Sequence, residues 1–220
     1  MFQDSGQTTP VTTDGQPVGL IKDKSGNNYH ASQSVNAARP IYRTDGTLHW
    51  LDFNGTSQYL VIVDSNWFNT VSATTWIVGA NISSDSQEYG AVISKINESY
   101  NGLALQTSEP LAGRIRAFGF RSNEIKMSGS IDSNTVFTVS FADDEKLSLS
   151  KNKDALNSGL SGVDKSNINS NSAPFTIGSL SYADLFSKFN LYCLIITNTK
   201  LTNYRDPAIG YVAEKSGVTL

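Results

Sequence analysis

Arginine and aromatic side chains alternate in GRIRAFGFR, Gly113 to Arg121, an arrangement with the means to hold a sugar. In an extended strand, Arg114, Arg116, Phe118 and Phe120 stand on one face and Ile115, Ala117, Gly119 and Arg121 on the other, because successive side chains point to opposite sides. Neither face is plainly the inner one. Guanidinium groups orient hydroxyls and aromatic faces stack on the apolar faces of sugar rings, so the first face is a candidate glycan site. Gln106 on the expected neighbouring strand, with Tyr89 and Tyr100 in loops, adds an amide and two more rings. The competing reading puts Phe118 and Phe120 in the core and leaves the arginines to snorkel or to pair with acids.

Other chemistries find less to work with. Cleavage of a glycosidic bond needs two carboxylates at a set separation on one strand face. The densest acidic run, Asp143, Asp144 and Glu145 in FADDEKL, is consecutive and reads as a hairpin turn, while Asp85, Glu88, Glu98, Glu109 and Glu124 fall at loops or strand ends without a pairing pattern. A serine or cysteine nucleophile needs a base within reach, and the chain has only His30 and His49. His30 is expected to fix its loop through hydrogen bonds, and His49, beside Trp50, to be an exposed sheet residue. Cys193, in the apolar run NLYCLIIT, reads as a small buried hydrophobe. Calcium takes oxygen ligands from loops, and Asp23, Ser25 and Asn27 alternate as such ligands can, with Asp52 and Asp64 available at strand ends. That loop lacks the terminal bidentate Glu of a helix-loop-helix calcium site, so a turn held by side-chain to backbone hydrogen bonds is favoured. No catalytic residue is expected, and no cofactor beyond this calcium candidate.

The elements that must position these residues read as strands. A chain of 220 residues is routine for a sandwich or barrel on one core, and a single domain over 1–220 is the expectation. Charged residues are only 17%, Ser, Thr, Asn and Gly are abundant, and the aromatics are spread along the chain, a profile of β-rich exported or particle-associated proteins. A net charge of −3 without a cluster of Lys and Arg gives no reason to expect nucleic acid or an anionic membrane as partner. The start, MFQDSGQTTP, has no basic stretch followed by an apolar one, and apolar runs fall short of the roughly 18 residues a membrane span needs. A soluble chain without signal peptide, membrane insertion or disulfide is expected, either part of something larger or exported by a route other than ordinary secretion.

Residues 1–40, with Pro10, Pro17 and Pro40, read as a loop-rich lead-in. Leu48 to Phe53 and Gln58 to Val63 flank NGTS, whose Asn54-Gly55 pair predicts a hairpin. Further strands are predicted at Thr74 to Ile82, Gly90 to Ile96, Gly102 to Thr107, Gly113 to Arg121, Val136 to Phe141, Lys146 to Ser150, Phe175 to Gly178 and Phe189 to Thr197. In VFTVSF, Phe137, Val139 and Phe141 face the core and Val136, Thr138 and Ser140 face water. Trp50, Trp67 and Trp76, in or beside apolar stretches, are expected in the core. One helix is predicted over 206–216, with Asp206 and Pro207 as N-cap and first turn, Ile209, Val212 and Ala213 as its apolar stripe and Gly217 as its stop. It should close over an edge or end of two stacked antiparallel sheets.

Two stretches bracket the strands: DKSGNNYHASQ, Asp23 to Gln33, followed by ARP, and YVAEKSGVTL, Tyr211 to Leu220. Together with the FQDSG, TTPV and GQPVG segments of the lead-in and with WLDFNGTSQYL, they resemble concanavalin A-like, laminin-G-like jelly-roll domains of bacteriophage and prophage structural proteins. The resemblance is strong at both ends and rests on strand pattern alone in the middle. It implies an all-β, antiparallel two-sheet jelly-roll β-sandwich with one short C-terminal helix. It also implies a virion setting, tail-associated or capsid-decorating, for a protein made in the host cytoplasm. Its partners would be other virion proteins, further copies of itself, and a glycan or host cell-surface polysaccharide. Members of this group bind glycans, bind proteins or serve as structural modules, with no uniform catalytic motif to carry over. A non-enzymatic virion module that binds carbohydrate is the resulting expectation, with a purely structural virion protein or a polysaccharide-degrading glycosidase as alternatives.

Overall fold

Period-two alternation of apolar side chains carries most of the chain into strands. The computed structural model describes residues 1–69, 73–97, 99, 101–107, 114–119, 123–128, 132–142, 146–155, 157–160, 172–180 and 184–220. The lead-in contributes β1 (Leu20–Ile21) and β2 (Ala31–Ser32), followed by β3 (Ile41–Thr44), β4 (His49–Asn54), β5 (Leu60–Ile62) and a single-turn helix α1 (Asn66–Asn69). Next come β6 (Thr74–Ile82), β7 (Ala91–Ile96), β8 (Gly102–Thr107), β9 (Arg114–Gly119) and β10 (Asn123–Ser128). The chain continues through β11 (Asn134–Ala142), β12 (Lys146–Lys151), β13 (Asn157–Leu160), β14 (Phe175–Ile177) and β15 (Lys188–Thr197) to α2 (Arg205–Ser216). One sheet runs β1-β2-β5-β14-β7-β8-β9-β10 and the other β13-β12-β11-β6-β15-β4-β3. Every ladder between these strands is antiparallel. The protein is thus an antiparallel two-sheet β-sandwich with one short C-terminal helix.

The core lies between the sheets. Phe53, Trp76, Phe137, Phe141 and Phe189 project from one sheet against Leu60, Ile93, Leu105, Ile115 and Phe175 of the other. Trp76, 1% exposed, meets Phe175 across the interface with ring centroids 5.2 Å apart. Truncating such a ring to alanine would cost about 3–5 kcal/mol, because the cavity left behind refills poorly.

Three expectations are corrected. The strands flanking NGTS do not form a hairpin: β4 belongs to one sheet and β5 to the other. Asn54 Oδ1 accepts the backbone N–H groups of Thr56, Ser57 and Gln58, and Gly55 takes φ 73°. The turn reverses the chain as expected, but both strands point their apolar residues at the same core from opposite sides, so they cannot share a ladder. The outer face of VFTVSF is not wet either, since Val136, Thr138 and Ser140 are all buried. Val136 lies under α2, while the connection from β15 to the helix folds over the neighbouring rows, Thr75 Oγ1 donating to Thr199 O at 3.0 Å. Finally, α2 lies across the outer face formed by β6, β11 and β15, not over an edge or end.

The helix itself starts one residue before the expected span. Tyr204 is the N-cap and makes no side-chain capping bond, while Asp206 and Pro207 fall in the first turn. That placement suits both, because the first-turn N–H groups have no helical acceptor and a carboxylate there faces the positive helix end. Ile209, Val212 and Ala213 are buried as the stripe predicts, and Gly217, at φ 65°, ends the helix with Val218 N donating to Ala213 O. Close approach depends on Gly79 in β6. A Cβ there would sit 2.8 Å from Val212 Cγ1 and collide with the Ser216 hydroxyl.

Candidate ligand cleft

The sheet that carries α2 on its back splits along part of its length. β4 and β15 pair from Asn54↔Lys188 to Leu51↔Leu191. Past that point a register shift between Leu191 and Cys193 turns β15 away. His49 and Trp50 then pair with β3 alone, and Cys193 to Thr197 with β6 alone. A bulge re-aims a strand in this way by letting one extra residue bend it. The opening is a cleft of about 720 Å³ that reaches from the surface to the inner faces of both sheets.

Aromatic rings line much of it. Tyr29 lies 5.4 Å from Trp67 and 4.9 Å from Phe68, and Phe68 in turn contacts Phe175 of the core at 4.6 Å. On the other wall Trp50 contacts Tyr192 at 5.8 Å, and Tyr211 of α2, 53% exposed, stands at the rim. Of the three tryptophans expected in the core, only Trp76 is fully buried. Trp50 and Trp67 are half-buried cleft residues, because they occupy positions where the sheets diverge. Asn27, Asn198, Thr197 and Thr199 supply amide and hydroxyl groups along the lining. His49 is exposed as expected, and its Nδ1 lies 2.7 Å from Tyr42 Oη.

The rim opposite is the loop from Lys22 to Asn27. Asp23 organises it: Oδ1 accepts Ser25 N at 2.8 Å, and Oδ2 accepts Ser25 Oγ at 2.6 Å and Tyr29 N at 3.2 Å. Ser25 Oγ accepts from Asn27 N and Nδ2. Partial burial pushes the Asp23 carboxyl up, but the bonds from Ser25, Tyr29 and Asn27 outweigh it and hold the group below the usual carboxylate range. His30 Nδ1 accepts Asp23 N at 3.2 Å, the loop-fixing role expected of it. The calcium candidates Asp23, Ser25 and Asn27 therefore spend these oxygens on one another and on the backbone. Among the described residues no three His, Cys, Asp or Glu side chains gather as metal ligands.

The residues singled out in the sequence form a separate constellation. Ile115 and Ala117 of β9 are fully buried in the core, so the face of Arg116 is the outer one. Arg116 Nη1 donates to Glu124 Oε2 at 2.7 Å and Nη2 to Gln106 Oε1 at 2.9 Å, while its guanidinium lies 4.3 Å from the centroid of the Tyr89 ring. Gln106, 1% exposed, also donates to Tyr89 O at 2.9 Å. Burial raises the Glu124 carboxyl, yet Lys126 and Arg116 together bring it below the usual range. Three of the six candidates, Arg116, Gln106 and Tyr89, thus meet. Arg114 and Phe118 belong to β9, but their side chains lie outside the described residues, as does all of Tyr100. Glu98, Glu109 and the acidic run Asp143 to Glu145 also lie outside them.

Sequence reasoning missed the cleft residues Tyr29, Trp50, Trp67, Tyr192 and Tyr211. The one available signal was CLIIT in β15, an apolar run without alternation. It also missed Glu124 as a partner, although NEIKMS alternates Glu124 and Lys126 against Met127, which packs on the core.

No family model matches the sequence, and no curated protein matches it either. Solved structures do match in fold. A Trypanosoma rangeli sialidase in complex with 2,3-difluoro-KDN superposes with a TM-score of 0.66 at 13% identity, over 94% of this chain and 33% of that one. An arabinofuranosidase complexed with arabinofuranosyl-alpha-1,2-xylobiose gives 0.65 at 10% identity, over 91% and 51%. The ligand binding domain of botulinum neurotoxin serotype D in complex with N-acetylneuraminic acid gives 0.60 at 12%, over 89% and 50%. The chain thus spans a third to a half of these solved chains, and at such identities the likeness is one of fold.

Proposed function

We propose that this protein is a non-enzymatic glycan-recognition module and that sugar binds in the cleft between β4 and β15. The lining carries the reading: Tyr29, Trp50, Trp67 and Tyr211 supply ring faces beside the amides of Asn27 and Asn198 in a space of about 720 Å³, the size of a small-ligand site. The sugars named with the fold neighbours support it. Binding is favoured over hydrolysis because the described residues of the lining include one carboxylate, Asp23, where acid-base cleavage uses two. The Arg116 constellation supports a glycan less well, since its guanidinium already covers Tyr89 and bonds Gln106 and Glu124.

A glycan array followed by calorimetry on the hits tests the proposal. Trp67→Ala is expected to weaken binding by tenfold or more, about 1.4 kcal/mol, with the fold intact by circular dichroism. Arg116→Ala should leave affinity unchanged. Absence of binding to any glycan at millimolar concentration, or loss on Arg116→Ala with none on Trp67→Ala, would overturn it.

The setting we propose is a phage particle surface, tail-associated or capsid-decorating, with other virion proteins and further copies of this chain as partners. The resemblance of its two ends to such domains supports this. Detection of the chain in purified particles by mass spectrometry is the measurement that decides it.

A further inference from the structure

Charge at the cleft rim narrows the ligand, given that the cleft binds glycan. The lining holds two lysines, Lys22 and Lys24, on either side of Asp23. Asp23 turns its oxygens to the N–H and O–H donors of Ser25 and the N–H of Tyr29, which hold it ionised within the loop, so Lys22, Asp23 and Lys24 together leave the rim a net charge of +1. Several other cations have carboxylates beside them, Arg43 with Asp14, Lys95 with Asp64, Arg116 and Lys126 with Glu124, Lys188 with Asp85 and Lys215 with Glu214, while Arg39, Lys151, Lys153 and Lys200, outside the lining, have no described carboxylate within 4.0 Å. No described carboxylate lies within 4.0 Å of the ammonium of Lys22 or Lys24, and Lys22 rests 5.3 Å from the centroid of the Phe2 ring. Asp45 lies in the turn before His49, outside the lining, and accepts Thr47 N and Leu48 N.

We infer that the cleft takes a carboxylate-bearing glycan, a uronic- or sialic-type acid, whose ring stacks on the aromatic wall while its carboxylate meets Lys22 and Lys24. Ring stacking fixes the sugar and is indifferent to charge. The two ammonium groups add a term that only an acidic sugar collects. Between partly exposed groups this term is modest and salt-sensitive, a roughly three- to tenfold preference for the acid over its neutral counterpart. An alkyl carboxylate would share the charge but bring no hydroxyls to the Asn198 amide of the lining.

Calorimetry on the full chain with matched pairs, sialyllactose against lactose and trigalacturonate against its methyl ester, separates the terms. A dodecanoate titration runs beside them. The acidic member of at least one pair is expected to bind three- to tenfold more tightly at low salt, with the advantage shrinking at 0.5 M NaCl. The double variant Lys22→Gln, Lys24→Gln should remove the advantage and keep neutral-sugar affinity, whereas Trp67→Ala should weaken both members. Equal binding of both members, still dependent on Trp67, overturns the acidic preference and leaves glycan recognition standing. An advantage that survives in the double variant also overturns it. Binding of neither sugar, or of dodecanoate alone, overturns both readings.

Discussion

Short carboxylates hold the two loops of the lead-in by accepting several donors at once. Asp4 takes Thr8 N at 3.1 Å, Thr8 Oγ1 at 3.0 Å and Thr9 N at 2.8 Å, as Asp23 takes Ser25 and Tyr29. The backbone N–H of Thr8, aided by Thr9, lowers the Asp4 carboxyl to about 2. Its folded value lies below the unfolded one, so its contribution to stability is complete above the unfolded value of 3.8 and is lost as pH falls toward 2. Thermal midpoints measured from pH 5 to pH 2 should therefore drop across that window, and Asp4→Asn should flatten the drop. A variant that follows the parent curve would show that the loop bonds do not couple to folding. At this scale the sequence was informative where partners are close in number. Asp23, Ser25 and His30 were legible as a hydrogen-bonded turn, while Arg116 and Glu124 were not legible as a pair, because only the register of β9 against β10 brings them together.

Among the elements, α2 depends on a missing side chain. Gly79 lies mid-strand, where glycine weakens a sheet, and the reason is Val212 and Ser216 pressing on it from the helix. Gly79→Val is expected to cost about 1–3 kcal/mol by overpacking, read as a lower denaturant midpoint, with Tyr211 fluorescence and limited proteolysis reporting a loosened helix. Gly79→Ala should cost less, and an unchanged midpoint for the valine variant would mean that α2 is not docked there. Ten strand positions were read because alternation is a local property, while β1 to β3, β10 and β13 were not. β6 and β8 were predicted with the bounds they have. Pairing was not legible, since a turn such as Asn54-Gly55 reports a reversal of the chain and not which sheet receives the next strand.

At the scale of the molecule, the cleft exists because β15 follows β4 for four residue pairs and then follows β6 alone. Neither strand announces this in isolation. Trp50 and Trp67 look like core residues by composition, and the split leaves them where a ligand can reach. The two-sheet architecture, by contrast, was legible from strand spacing and from the lone C-terminal helix.

The same sheet orders bear on synthesis. β14 lies between β5 and β7, and β15 lies between β4 and β6, so the last strands of this domain to be made are inserted into the middle of both sheets. Until they emerge, β1 to β5 have no ladder to the rest of the chain, and β5 and β6 present bare edges that invite pairing with other nascent chains. Closure over such separations is slow, since the entropy of a long loop is lost before any contact forms. A chain ending at Pro174 should show no cooperative unfolding transition and should aggregate, whereas the full chain refolds in one late, concerted step. Cooperative melting of the truncated chain would mean that the N-terminal strands find another way to close. For this fold the nascent domain stays vulnerable until β14 and β15 emerge, and its protection comes with those two strands.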